Sequence, residues 1–225
     1  CLLALALPRA AEAQLTMAAN RVANEPAATL LLPYFEVELP KKIGGKSSGM
    51  NTIFSVNNAS ATAVLAHVTI WSDLSVPITN FNIYLTGYDT QTVDMLQVLN
   101  GHLPRTASAG QDLADTTNPA DGISNKGEFS QDINFASCSG QLPYPDPLPT
   151  ETITFLRETL TGSPVQLTGG TCAGRKLPDK KPTARGYVTV DTVNNCTLKF
   201  PSEPNYFVAG GFGDATNQNV LWGDY

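Results

Sequence analysis

Val64-Leu65-Ala66-His67-Val68-Thr69-Ile70-Trp71 decides the fold class. Val64, Ala66, Val68 and Ile70 fall on one side of this run, and Leu65, His67, Thr69 and Trp71 on the other. A period of two is the mark of a β-strand. The stretch before it alternates as well, with Ile53 and Ser55 against Phe54 and Val56, and Asn57-Asn58-Ala59-Ser60-Ala61-Thr62 supplies a polar turn between the two. After the Asp73 to Pro77 turn, Phe81, Ile83 and Leu85 alternate with Asn80, Asn82 and Tyr84. Gly87 then permits a sharp bend into Tyr88-Asp89-Thr90-Gln91-Thr92-Val93. The strands from Asn51 to Asp94 are too short and too closely spaced for helical crossovers, so antiparallel pairing is expected. Val64, Val68, Ile70, Phe81, Ile83 and Leu85, joined by Val188 and Val190, are expected to line one core.

On the N-terminal side, Thr29 to Leu39 reads as a strand interrupted by Pro33. A proline cannot donate to a ladder, which makes this an edge or bulged strand. Lys41 to Gly49 is a basic loop. Gly45-Lys46-Ser47-Ser48-Gly49 within it has the letters of a nucleophile elbow and of part of a P-loop, but a strand follows it where either motif needs a helix, so it reads as a turn. Further back, Cys1-Leu2-Leu3-Ala4-Leu5-Ala6-Leu7, Pro8 and Ala11-Glu12-Ala13 read as the end of a secretory signal cut after Ala13. Residues 1–13 are thus a signal remnant and 14–28 a leader. The numbered chain is expected to start inside the signal and to stop short of the natural C-terminus.

On the C-terminal side, the stretch from Gly101 to Phe135 is polar and rich in glycine, and reads as a long surface loop. Pro143, Pro145, Pro147 and Pro149 favour an extended run. Thr150 is then expected to cap a helix from Glu151 to Leu160 that ends at Gly162, the one helix expected in the mature chain. Strand signals resume at Gly186 to Asp191, Tyr206 to Ala209 and Asn219 to Trp222. The whole reads as a single mainly β domain over residues 29–225, an antiparallel sandwich with a loop-rich insertion at about residues 100–185 carrying one short helix.

Charge narrows the partners. With 20 acidic and 14 basic side chains the chain carries −6 at pH 7, which repels nucleic acid and anionic membrane surfaces. No apolar run after the signal is long enough to span a bilayer. Cys138, Cys172 and Cys196 remain after cleavage, and in an oxidising compartment three thiols imply one pair. Cys138 with Cys172 is the expected staple, because both sit in the irregular insertion. The cysteines are too far apart in sequence for a zinc site, and His67 and His102 do not complete one.

Candidate chemistry is sparse. His67, between Leu65 and Trp71 on its own face, reads as a strand histidine beside the core, and His102 stands at a loop entrance without a companion. The acids are scattered over loops. Calcium is the ligand with most support: Asp121, Gly122 and Glu128 fall at the fifth, sixth and twelfth positions of an EF-hand loop. Thr117 and Pro119 occupy the first and third, where carboxylates bind, so the stretch reads as a polar surface loop first and a calcium site second. Asn58-Ala59-Ser60 and Asn195-Cys196-Thr197 fit the glycosylation sequon. Trp71, Tyr84 and Tyr88 suit either stacking on a sugar or packing on a sheet face. No catalytic or cofactor-binding set emerges.

Leu31-Leu32-Pro33-Tyr34-Phe35, Asn51-Thr52-Ile53-Phe54-Ser55-Val56-Asn57-Asn58 and Phe81-Asn82-Ile83-Tyr84-Leu85-Thr86-Gly87-Tyr88-Asp89 resemble uncharacterised bacterial secreted proteins that carry an immunoglobulin-like sandwich. The resemblance covers mainly residues 29–95 and is weaker at Gly186 to Asp191 and Trp222 to Tyr225. It implies that fold and export to the periplasm, cell surface or medium, and brings no catalytic residues. The functional expectation is an exported non-enzymatic surface, adhesion or assembly protein, with a cell-surface protein or glycan as partner. A secreted carbohydrate- or calcium-binding module is the alternative, and a secreted hydrolase built from distant carboxylates the third reading.

Overall fold

The computed structural model describes residues 25–45, 49–104, 136–138, 141–142, 144–163, 174 and 182–225. Among these residues seven strands form two antiparallel sheets: β1 (Thr29–Glu38), β2 (Ile53–Asn58), β3 (Val64–Ser72), β4 (Pro77–Leu85), β5 (Thr90–Asp94), β6 (Thr183–Val193) and β7 (Leu221–Trp222). The larger sheet runs β1-β6-β3-β4 and the smaller β5-β2-β7. The expected antiparallel pairing holds throughout. β1 lies at an edge with its register broken between Leu32 and Phe35, which places Pro33 where its missing N–H costs no ladder bond.

The two sheets share one core. Val64, Val68, Ile70, Phe81, Ile83, Leu85, Val188 and Val190, all expected inside, are buried there together with Phe35, Phe54, Val56, Val93 and Leu221. Burying an aliphatic side chain of this size contributes about 1.5–3 kcal/mol, so the inward row of β3 alone is a large part of the driving force. Gly186 allows the close approach at the far end of β6, where a Cβ would run into the Trp71 carbonyl and the Phe35 ring.

Among the described residues two α-helices bound the core. α1 (Met95–Val98), unforeseen in the sequence, follows β5 directly: Asp94 caps it by accepting from the backbone N–H groups of Leu96 and Gln97, and Met95 and Val98 are buried. A single turn is too short to leave a helical period. α2 (Thr150–Leu160) was expected, but Pro149 holds the cap position without a side-chain bond and Thr150 is already helical. Leu156 and Leu160 of α2 join the core. The chain bends at Asp146 and Pro147, where an extended run was expected.

Other expectations are corrected. Cys138 is bonded to Cys196, not to Cys172, which lies outside the described residues. Tyr206 to Ala209 is no strand but part of a run of turns; Tyr206 is fully buried whereas Phe207 is 58% exposed. The last strand is confined to Leu221–Trp222. Residues 1–24 and 105–135 also lie outside the described residues, and with them the stretch read as a signal remnant, most of the polar loop, and the calcium candidates Asp121 and Glu128. Lys46, Ser47 and Ser48 of the glycine-flanked loop do too.

Candidate functional site

The outward row of β3 runs Leu65, His67, Thr69, Trp71, and the outer face of the larger sheet changes character along it. At the Leu65 end two later stretches of chain fold over the sheet, one carrying Cys138, Leu142 and Tyr144 and the other running from 194 to 216. Cys138, Leu142 and Cys196 pack on Leu65, Tyr84 and Val193, and the disulfide lies within this second cluster. The run of turns from 194 to 216 covers the rest: Asn82 Nδ2 donates to the Thr197 carbonyl at 2.9 Å and Asn80 Nδ2 to that of Leu198 at 2.9 Å. At the β4 edge the Asn82 backbone N–H donates to the Tyr144 hydroxyl at 2.7 Å.

Beneath this cover lies a buried polar network. His67 is fully buried, with Nδ1 2.8 Å from Asn82 Oδ1 and Nε2 3.1 Å from the Lys199 carbonyl. Because the Asn82 amide nitrogen is committed to Thr197, its oxygen faces the ring, so both groups facing the imidazole are acceptors and a neutral His67 donates to one of them at a time. Burial pushes the imidazole below its usual value, against the opposing pull of Asn82, Asp191, Lys199 and Asp214. Asp191, directly across from His67 on β6, accepts from the Thr29 hydroxyl at 2.5 Å and the Tyr206 hydroxyl at 2.8 Å. Burial first, and the Asp191 charge next, raise the Tyr206 phenol well above its usual value. A histidine and a carboxylate thus face one another, but both are locked into the fold, Asp191 by two hydroxyl donors and His67 between Asn82 and the Lys199 carbonyl. His67 is a buried strand histidine, as its neighbours suggested.

Among the described residues nothing covers the other end of the same face. Trp71 and Tyr187, paired across β3 and β6, stack with ring centroids 5.7 Å apart and planes 4° from parallel. The indole Nε1 donates to Thr189 Oγ1 at 2.9 Å. On β1 and β6, Glu36 and Arg185 face each other across the ladder and form an ion pair at 3.0 Å. Tyr34 donates its hydroxyl to Glu36 at 2.5 Å. Its phenol is raised, by burial first and then by the Glu36 carboxylate. Tyr34 is 50% and Leu31 60% exposed, and Trp71 and Tyr187 are half-buried. The hydroxyl of Thr69, fully buried one step along the row, has no hydrogen-bond partner among the described residues.

Of the aromatics picked out in the sequence, Trp71 lies in this patch, Tyr84 is buried under the disulfide, and Tyr88 stands 73% exposed in a turn. Tyr34, Tyr187, Glu36 and Arg185 were missed as a set. Their signal was present only as alternation on β1 and β6, and which outward residues stay open depends on what folds over the sheet. His102, expected to stand alone, lies 2.5 Å from Asp146 across the base of the insertion, with both side chains exposed by more than a third. A separate cleft of about 120 Å³ opens between β1 and the chain end, lined by Leu30, Leu32, Phe54, Val56, Val190 and Tyr225. Of the two sequons, Asn58 is buried and holds the turn after β2, while Asn195 is exposed.

Among the described residues no group of three or more His, Cys, Asp or Glu side chains is placed to hold a metal ion, and no helix is long and apolar enough to cross a membrane. No protein-family model matches the chain, and neither a curated protein nor a solved structure matches it. What it does must be argued from its own surfaces.

Proposed function

We propose that this protein is an exported, non-enzymatic surface module for adhesion or assembly, built on an immunoglobulin-like sandwich, and that it binds through the open end of its larger sheet. The strand order supports the fold reading. β1-β6-β3-β4 follows the order G-F-C-C′ of an immunoglobulin variable domain and β5-β2-β7 follows E-B-A, with the first and last strands of the chain exchanged. A disulfide suits export to an oxidising compartment.

The observation that carries the functional reading is the uneven cover of one sheet face. Segments far apart in sequence bury the His67 end, whereas Tyr34, Glu36, Arg185, Trp71 and Tyr187 remain at the surface as a compact aromatic and polar patch. Aromatic residues and arginine are the types that dominate recognition surfaces. His67 and Asp191, which face each other across the ladder, are sealed under the cover and out of reach of a substrate.

Fractionation and surface labelling of the native host, joined to an adhesion assay with protein-coated beads, test this reading. The expected result is an extracytoplasmic protein whose adhesion is lost in Tyr187→Ala and kept in Ile53→Ser, a change on the opposite sheet. A cytoplasmic location, or adhesion indifferent to Tyr187→Ala, overturns it.

A further inference from the structure

We infer that the open patch is a sugar subsite, and that its ligand is a neutral oligosaccharide. This rests on the binding face proposed above and names the class of molecule it takes. A pyranose has two kinds of surface: ring faces rich in C–H groups and a rim of hydroxyls. Trp71 and Tyr187 cover part of one face of each other, and the ring face left in solvent carries the negative lobe of the aromatic quadrupole, which attracts polarised C–H groups. Both rings are half-buried, so each is held by the sheet while keeping surface in solvent.

The rim groups are present on the same face. Glu36 offers the remaining lone pairs of its carboxylate, Arg185 guanidinium donors, and Tyr34, whose hydrogen goes to Glu36, a hydroxyl oxygen that accepts. Thr189 accepts the indole N–H through Oγ1, which leaves its own hydroxyl hydrogen to donate. A few polar groups placed around an apolar floor are the usual make-up of a small-ligand site.

Charge selects the neutral class. Glu36 and Arg185 cancel each other, so the patch offers an anion no uncompensated cation, and the net charge of −6 repels a polyanion at longer range. A cation meets Arg185 beside the Glu36 carboxylate. An uncharged ligand rich in hydroxyls meets neither obstacle. The side chains are preset by cross-strand pairing, stacking and the ion pair, so little side-chain entropy is lost on binding.

The chain has two tryptophans, so in a Trp222→Phe background Trp71 is the sole indole reporter. Cellohexaose, mannohexaose and chitohexaose serve as neutral probes and a polygalacturonate oligomer as the anionic one, each titrated by fluorescence and calorimetry. The expected result is a saturable response to at least one neutral probe. Tyr187→Ala should weaken it by about tenfold, the loss of one stacking contact, and Arg185→Ala should weaken it as well. Tyr187→Phe, which keeps the ring, should restore it, and thermal melts identify any variant that has merely unfolded. Silence with every neutral probe, a response that survives Tyr187→Ala, or binding of the polygalacturonate oligomer alone overturns the inference. Adhesion lost in Tyr187→Ala without any sugar response leaves the binding face standing and refutes only the ligand class, whereas adhesion indifferent to Tyr187→Ala removes the face itself.

Discussion

The two ends of one β-strand were built from similar instructions and met different fates. Leu65 and His67 at one end of β3, and Trp71 at the other, all point away from the core, yet Leu65 and His67 are fully buried while Trp71 keeps part of its ring in solvent. The difference lies in what returns to the sheet: the disulfide cluster and residues 194–216 cover the first end, and among the described residues nothing seals the second. Where polar groups are covered they must be paired, and the His67–Asn82–Thr197 and Thr29–Asp191–Tyr206 bonds are that pairing. Where they stay wet, pairing is optional and recognition becomes available. Outward orientation in a strand therefore carries no functional meaning until its cover is known.

The largest expected effect removes the ground on which both ends stand. Val68 is fully buried between the sheets, so Val68→Asp places an uncompensated charge in the shared core and should destabilise the fold by more than about 4 kcal/mol. An unfolding midpoint in urea equal to that of the unaltered protein would show that the inward row is misassigned.

Next comes the covered end alone. The Cys138–Cys196 bond closes a loop with a sequence separation of 58, and replacing both cysteines by serine should cost about 4 kcal/mol through the freed unfolded chain. Exposure of Tyr84 to solvent in the variant, read by fluorescence quenching, would tie the loss to the cover. Non-reducing peptide mapping that joins Cys138 to Cys172 would break the assignment.

Smaller still is the loss of one buried donor. Tyr206→Phe leaves Asp191 Oδ2 without its hydroxyl partner beneath the cover and should cost about 2 kcal/mol. A change within the error of a denaturation curve would mean that water replaces the phenol and that this end is less sealed than described.

Acid should sharpen the contrast. The folded protein holds His67 below its usual value of 6.5, so the unfolded chain binds the proton more readily. The stability this contributes is present above about pH 6.5 and is lost as the pH falls below it. Melting temperatures followed downward through that window should decline, and the decline should be shallower in His67→Gln. An identical slope in the variant would assign the effect to other groups.

The smallest effect belongs to the open end. Glu36 and Arg185 are partly exposed, and a double-mutant cycle with Glu36→Ala and Arg185→Ala should return a coupling below about 1 kcal/mol once solvent screening is allowed for. A coupling as large as that of a buried pair would place this end under cover too, and would remove the reason to treat it as a binding face.

Much of this architecture was legible from residue order, because strand periodicity is a local property. The alternation from Ile53 to Val93 and again at Gly186 to Asp191 specified strands and an inward apolar row, and Pro33 marked β1 as an edge. Export, by contrast, is read from the first residues and stays part of the functional proposal. The sequence by itself determined which face of each strand turns inward, since burying apolar side chains at every second position leaves one solution. It did not determine the partner of Cys138, the burial of Tyr206 in a run that looked like a strand, or the single-turn helix after Asp94. Only the tertiary structure decided these, and with them which outward side chains meet water. Each depends on contacts between residues tens of positions apart, and such contacts leave no period in the chain.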